Sequence, residues 1–241
     1  MDGNRRYAKS RYLPAIMGHK DGFLNIVKII ESAIDNKIDT LTLYALSKDN
    51  VTKRDAGEID HIFNLILTQI GYTLPFSIKN NLKVSILGSK ENMPEKVLKT
   101  LADLEFKTSN GTGMHLQLCI NYDGREEILQ AVQKIVNNKI SNFKNSNMVD
   151  KSSPNQANQS DPNVSIDNFV TLNDFESALY SSKEPDIIIR TGGDSRISGF
   201  LLWQQIYSEL YFVDKMWPEF GKDDFVKIIE DYKLRKRRYG K

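Results

Sequence analysis

Residues 40–46, TLTLYAL, read as a strand, and the segments on either side of it repeat apolar residues at helical spacing. That alternation constrains the fold more than any other feature of the chain. Phe23, Ile26, Val27, Ile30 and Ile34 recur at intervals that put them on one face of a helix, and Ile59, Ile62, Phe63, Ile66 and Ile70 form a second such face. A third helix is expected in PEKVLKTLADLEF from Pro94, with proline at its start, and a fourth through Ile128, Val132 and Ile135. Between them lie short apolar runs rich in β-branched residues: LKVSIL from Leu82, HLQLCIN from His115 and DIIIR ending at Arg190. A short helix near Phe175 and Leu179 completes the pattern. Near-continuous apolar strands separated by amphipathic helices imply an α/β fold, a mainly parallel central sheet flanked by helices. In such sheets ligands bind beyond the C-terminal ends of the strands.

Composition narrows the class. The chain has 241 residues, 40% hydrophobic and 27% charged, enough to build one sizeable core, so a single domain over residues 1–241 is expected. A formal charge of +2 gives no global attraction to nucleic acid, and anion binding must come from local clusters. The one cysteine, Cys119, sits in the apolar run LQLCI and fits a buried strand position in a reducing compartment. No stretch reaches the roughly 18 to 20 apolar residues that span a bilayer, and the polar start is unlike a signal peptide. A cytoplasmic protein follows, with room for peripheral contact at a membrane surface. Residues 144–165, dominated by Asn, Ser, Asp, Gln and Pro without an aromatic, are expected to form a disordered surface insert.

Four segments combine glycine or turn residues with charge. MDGNRRYAK opens the chain with an anion-receptive turn followed by Arg5 and Arg6. GHKDG, residues 18–22, is placed just before the first long helix, where His19 faces a ligand or simply caps a loop. YALSKDN ends a strand with Ser47, Asp49 and Asn50, equally readable as an Asx turn. RTGGDSRISGFLLWQQIYSELYF, from Arg190, is the most informative. Arg190 and Arg196 bracket a Gly-Gly turn with Ser198 close by, a set suited to a diphosphate; the alternative is a solvated loop leading to an apolar helix. Glu209 beyond it suits an anion site only with a divalent cation between them. GxxxxGK[ST], GxGxxG, HExxH, zinc-ligand spacings and DDxxD are all absent.

Together MDGNRRYAK, GHKDG, YALSKDN, INYDGREEI, RTGGDSRISGFLLWQQIYSELYF and WPEF, in this order, resemble the cis-prenyltransferase family, from residue 1 to RRYG near residue 240. The resemblance implies extension of an allylic diphosphate, such as farnesyl diphosphate, by condensation with isopentenyl diphosphate, with Mg²⁺ as cofactor and a long polyprenyl diphosphate, most simply undecaprenyl diphosphate, as product. It makes Asp2 the catalytic aspartate and gives the allylic diphosphate to Gly3, Asn4, Arg5, Arg6 and His19. Arg190, Arg196 and Ser198 would hold isopentenyl diphosphate, Asp2 and Glu209 its metal. Ser47 and Asn50 would stand at the condensation centre. Arg238 and Gly240 would reach the neighbouring subunit's isopentenyl site, so a homodimer is implied. Ala45, Ile62, Leu65 and Ile66 would line a hydrophobic tunnel for the growing chain, and each also suits an ordinary core.

The chain departs from the family pattern in places. The strand that precedes MDGN in relatives is missing, which leaves Asp2 on an end expected to fray. Ala15 stands where many relatives have arginine, Val51 where tryptophan is usual and Gly199 where Asn or Asp is usual. KRDAGE replaces RPxxE, which leaves the roles of Lys53, Arg54 and Glu58 open. The alternative reading is a non-catalytic or truncated partner subunit of a heteromeric synthase; retention of Asp2, Arg190, Arg196 and Glu209 favours catalysis.

Overall fold

The computed structural model describes residues 1–146 and 169–235. Arg238 and Gly240, and residues 147–165 of the polar stretch, lie outside these. The packing forms two compact units, Met1–Asp123 with Glu184–Lys241, and Gly124–Lys183.

The first unit begins with helices α1 (Asn4–Ser10) and α2 (Ala15–Asp35), then strand β1 (Thr40–Ser47) and helices α3 (Lys48–Lys53) and α4 (Ala56–Lys79). Strand β2 (Lys83–Leu87), helix α5 (Glu95–Thr108) and strand β3 (His115–Tyr122) follow. The second unit contains α6 (Gly124–Ser146) and α7 (Leu172–Ala178), after which the first resumes with β4 (Ile187–Thr191), β5 (Glu209–Val213) and α8 (Lys222–Leu234). Helix α6 carries the chain to Ser146, so residues 144–146 of the expected insert are helical.

Every strand pair is parallel, as the alternating pattern requires. β3 is central, with β1 and β2 on either side, and Thr40 and Lys83 both stand opposite His115. β4 pairs with β5 from Ile187 opposite Glu209 to Thr191 opposite Val213, so the described strands form a three-stranded and a two-stranded sheet. β5 is the element the sequence pattern concealed. ELYFV follows an apolar run expected, on one reading, to be a helix; that run instead forms turns through Tyr207 before the chain extends. The core joins Leu43 and Leu46 of β1, Leu116 and Ile120 of β3, and Ile62, Phe63 and Ile66 of α4. Each such side chain contributes about 1.5–3 kcal/mol on burial.

One departure from the sequence reading reshapes the site. GHKDG does not precede the first long helix; it lies inside α2, which starts at Ala15. Its glycines serve close packing. A Cβ on Gly18 would lie 2.0 Å from the Asn4 carbonyl oxygen, and one on Gly22 would lie 2.4 Å from Asn4 Oδ1. The backbone of α1 therefore rests directly on α2. On the same helix, the Gly22 carbonyl accepts from the Trp217 indole N–H, and the Asn25 amide donates to the carbonyls of Trp217 and Phe220, all at 2.8 Å. Gly18→Ala should separate α1 from α2 and lower stability by about 2–4 kcal/mol, read as a lower urea midpoint with an unchanged slope.

Candidate active site

The chain's first residues meet the C-terminal end of β4. The Thr191 hydroxyl accepts from the Asp2 N–H and donates to the Asp2 carbonyl, each at 3.0 Å. That carbonyl also accepts from the Trp217 N–H at 2.9 Å. Asp2 is thus pinned by side-chain and backbone groups from two other segments and does not fray. Gly3 turns the chain into α1 with φ 102°, left-handed backbone that glycine tolerates, and a Cβ there would press on Met216 at 2.9 Å. The Asp2 carboxylate then accepts from the Gly3 N–H at 2.7 Å and from Arg190 at 2.8 Å, with Arg6 at 3.4 Å. Burial works against its ionisation, but the Arg190 and Gly3 hydrogen bonds and the charges of Arg190 and Arg6 outweigh it and hold the carboxyl below its ordinary value of 3.8.

Arg190 is the hub of the cluster. One terminal nitrogen donates to the Arg196 carbonyl at 2.6 Å and to the Ser198 hydroxyl at 2.8 Å, the other to Asp2, while its buried Nε–H has no acceptor. Arg196 grips Asp194 in a bidentate fork at 3.0 and 2.9 Å, and Arg6 reaches the same carboxylate at 3.2 Å. Gly192 and Gly193, at φ 91° and 78°, let the turn between them fold tightly, and a Cβ on Gly192 would lie 2.8 Å from the Arg6 guanidinium. Three arginines and two aspartates converge on a strand end, leaving a net positive site with exposed donors on Arg6 and Arg196. Exposed guanidinium donors at a net positive site are the groups a dianion or trianion pairs with.

A second cluster gathers at the end of β1. The Ser47 hydroxyl accepts from the Asn50 N–H at 3.1 Å and caps α3. Asn50 accepts from Arg54 Nε at 3.1 Å, and Arg54 donates to Glu58 at 2.8 Å. Glu58 also lies 3.3 Å from His19 Nε2 and 3.8 Å from Arg5. His19 is buried in the second turn of α2, and burial pushes its pKa below the ordinary 6.5 despite the Glu58 hydrogen bond, with the charges of Arg54 and Arg5 adding to the depression. Arg54 and Glu58, whose roles the sequence left open, therefore join Asn50 to His19. Asn4 turns its Oδ1 inward, where it is buried without a partner.

Beside both clusters, Tyr44 of β1 stacks on Phe200 at 5.0 Å between centroids and donates to the Tyr122 carbonyl at 3.1 Å. Ile62 and Ile66 are core residues, with Ala45 packed against that core and Leu65 half-buried.

A family model described as "Putative undecaprenyl diphosphate synthase" matches residues 1–240. The chain belongs to this family of prenyltransferases. It is 38% identical over 240 residues to the isoprenyl transferase of Staphylococcus saprophyticus, covering all of this chain and 87% of that one. It is 37% identical to that of Thermotoga maritima, covering 94% of the relative. The crystal structure of lavandulyl diphosphate synthase from Lavandula x intermedia, in complex with dimethylallyl diphosphate, superposes with a TM-score of 0.86 at 28% identity, covering 100% of this chain and 95% of that one. That of a "probable undecaprenyl diphosphate synthase" from Campylobacter jejuni gives 0.73 at 27% identity, over 92% and 93% of the two chains. The protein is a transferase with an α/β prenyltransferase fold.

Within this prenyltransferase, the expected partnership of Asp2 with Glu209 does not form. Glu209 stands opposite Ile187, at the far end of the β4–β5 pair from Thr191 and Asp2, and its carboxylate meets Arg235 at 3.2 Å. Among the described residues no three His, Cys, Asp or Glu side chains converge as a metal site. Asp2, with about a third of its side chain exposed, fits as a single carboxylate ligand to an ion held otherwise by substrate oxygens, the usual arrangement for Mg²⁺. The residue the sequence reading missed is Thr191, whose only signal was its place directly after Arg190 at a strand end.

Two outcomes follow. Thr191→Val keeps the shape and orphans the Asp2 N–H, so it should cost about 1–3 kcal/mol of stability and lower kcat for isoprenyl transfer, checked by urea unfolding and initial rates. His19 binds a proton more readily unfolded than folded, so its contribution is complete above pH 6.5 and falls as pH drops below that value. Urea midpoints between pH 7 and 5 should decline less for His19→Gln than for the native chain.

Proposed function

We propose that this prenyltransferase is cis-specific and extends an allylic diphosphate, farnesyl diphosphate being the expected starter, with isopentenyl diphosphate to a long polyprenyl diphosphate such as undecaprenyl diphosphate. The observation that carries this reading is Asp2, its backbone held by Thr191 and Trp217 and its carboxylate by Gly3 and Arg190, beside a net positive cluster at a strand end.

In this reading the allylic diphosphate sits over the start of α1. The amides of Asn4, Arg5 and Arg6 precede the first intrahelical bond, from the Tyr7 N–H to the Gly3 carbonyl, and face outward as donors. Arg5, Arg6, Arg54 and His19 add side-chain donors around them. Isopentenyl diphosphate takes Arg190, Arg196 and Ser198. Breaking the allylic C–O bond sends the electron pair to the departing diphosphate, where these preorganised donors stabilise the growing charge. The isopentenyl double bond then attacks the allylic carbon, and the proton lost from its C2 leaves toward Ser47, Asn50 or a diphosphate oxygen. A Mg²⁺ ion at Asp2 would neutralise part of the diphosphate charge.

Ala45, Ile62, Leu65 and Ile66 are proposed to shelter the apolar tail, each buried CH₂ contributing about 0.8 kcal/mol. The homodimer, with Arg238 and Gly240 completing the neighbour's site, belongs to the same proposal. So does a cytoplasmic location. A heteromeric partner subunit is not favoured, because the arginine cluster and Asp2 are both assembled within one chain.

The test is incubation with farnesyl diphosphate, radiolabelled isopentenyl diphosphate and Mg²⁺, followed by separation of the labelled products by chain length. A ladder of extended products, lost with EDTA and reduced at least a thousandfold in Asp2→Ala, is expected. Undiminished elongation by Asp2→Ala would remove Asp2 from the chemistry.

A further inference from the structure

The surface around the turn between α1 and α2 combines exposed lysines with exposed apolar side chains. Between Gly3 and Ile30 the chain holds six cations and one carboxylate, Asp21; Arg5, Arg6 and Arg11 pair with Glu58, Asp194 and Glu219, whereas Lys9, Lys20 and Lys28 stand exposed. The whole chain carries only +2, so the remainder is net acidic. On this basic ground stand exposed apolar side chains: Tyr12, Leu13, Ile16, Met17 and Leu24. Along α2 the residues Ile16, Lys20, Leu24 and Lys28, four apart, make one exposed stripe of alternating apolar and basic character.

The turn itself shows that this exposure is built in. The Tyr12 N–H donates to the Lys9 carbonyl and the Leu13 N–H to the Ala8 carbonyl, at 3.1 and 2.9 Å, the two bonds of a Schellman motif. Tyr12 occupies its left-handed position with φ 56°, where glycine is the unstrained choice, and the side chain is 99% exposed. A bulky aromatic is therefore held outward at a conformational cost, with no internal contact to offset it. Neighbouring Pro14 stiffens the same turn.

We propose that this turn is a lipid-facing surface: Tyr12, Leu13, Ile16 and Met17 enter the headgroup region of an anionic bilayer while Lys9 and Lys20 meet lipid phosphates. Basic residues flanking exposed aromatic and aliphatic groups are the chemistry of interfacial anchoring. The inference concerns where the protein docks and stands without the elongation chemistry.

The experiment is co-sedimentation of the full chain with vesicles of phosphatidylcholine alone or mixed equally with phosphatidylglycerol, at low and high salt. Binding to the anionic vesicles that weakens with salt is expected. Lys9→Glu with Lys20→Glu should weaken it by roughly tenfold or more, and Ile16→Ser by several-fold. Tyr12→Gly is the sharpest variant, because it should raise thermal stability by relieving the backbone while weakening vesicle binding. Equal binding to both vesicle types, or unchanged binding by all three variants, would overturn the proposal. So would self-association in sedimentation velocity that Tyr12→Gly abolishes, which would assign the surface to a second copy of the chain. Elongation assayed in detergent reads the proposed activity separately, so failure of one leaves the other standing.

Discussion

The hydrogen-bonded ion pair between Asp2 and Arg190 is the contact around which the site is arranged. It spans almost the length of the sequence, joining the first turn to the end of β4. A half-buried carboxylate and a guanidinium at 2.8 Å are stable together only if both are held in place. The holding groups come from three directions. Thr191 fixes the Asp2 backbone, Trp217 takes its carbonyl, and Ser198 and the Arg196 carbonyl occupy the other side of Arg190. Trp217 is in turn fixed by Gly22 and Asn25 of α2. The same helix that receives α1 on Gly18 therefore also sets the position of the aspartate preceding α1, and the two contacts together fix α1 as a rigid element.

Much of this was legible in the sequence, for identifiable reasons. Strands such as HLQLCIN and helices such as PEKVLKTLADLEF declare themselves because burial on a parallel sheet imposes continuous apolar runs and 3.6-residue periodicity. The gathering of Asp2, Arg6, Arg190, Arg196 and Ser198 at one strand end follows from glycine-rich turns that carry arginine. β5 was concealed because its side chains alternate between half-buried and exposed, and the apolar run before it masks the change of period. The placement of GHKDG outside α2 was the more instructive error. Glycines in such a run read as turn formers, whereas here Gly18 lets two helix backbones touch and Gly22 makes room for the Asn4 and Trp217 side chains. Only the neighbour across the seam distinguishes these uses, and sequence spacing does not contain it.

Glu209 shows the opposite failure. The residue lies nineteen positions after Arg190, and its strand is parallel to β4, so the register alone decides which end of the pair it reaches. Parallel pairing puts the first residue of β5 beside the first of β4, and Arg190 is fourth in its strand. The separation of Glu209 from Asp2 within one chain is thus a consequence of strand direction rather than of any side chain.

The aspartates also bear on the proposed anion site. Arg6 and Arg196 both point at Asp194, and Arg190 at Asp2, so the guanidinium groups are already oriented toward one another's neighbourhood before any phosphate arrives. Without these carboxylates, three like charges at one strand end would repel and their long side chains would spread over many rotamers, each carrying up to about 2 kcal/mol of entropy to be lost on binding. The carboxylates remove that cost in advance but compete for the same donors. The balance is struck by geometry. Arg190 is largely buried, whereas Arg196 is about 60% exposed, so under the proposed function Arg196 would exchange its fork from Asp194 to a phosphate at little desolvation penalty. In that proposal the buried arginine is the fixed wall of the site and the exposed one its adjustable side.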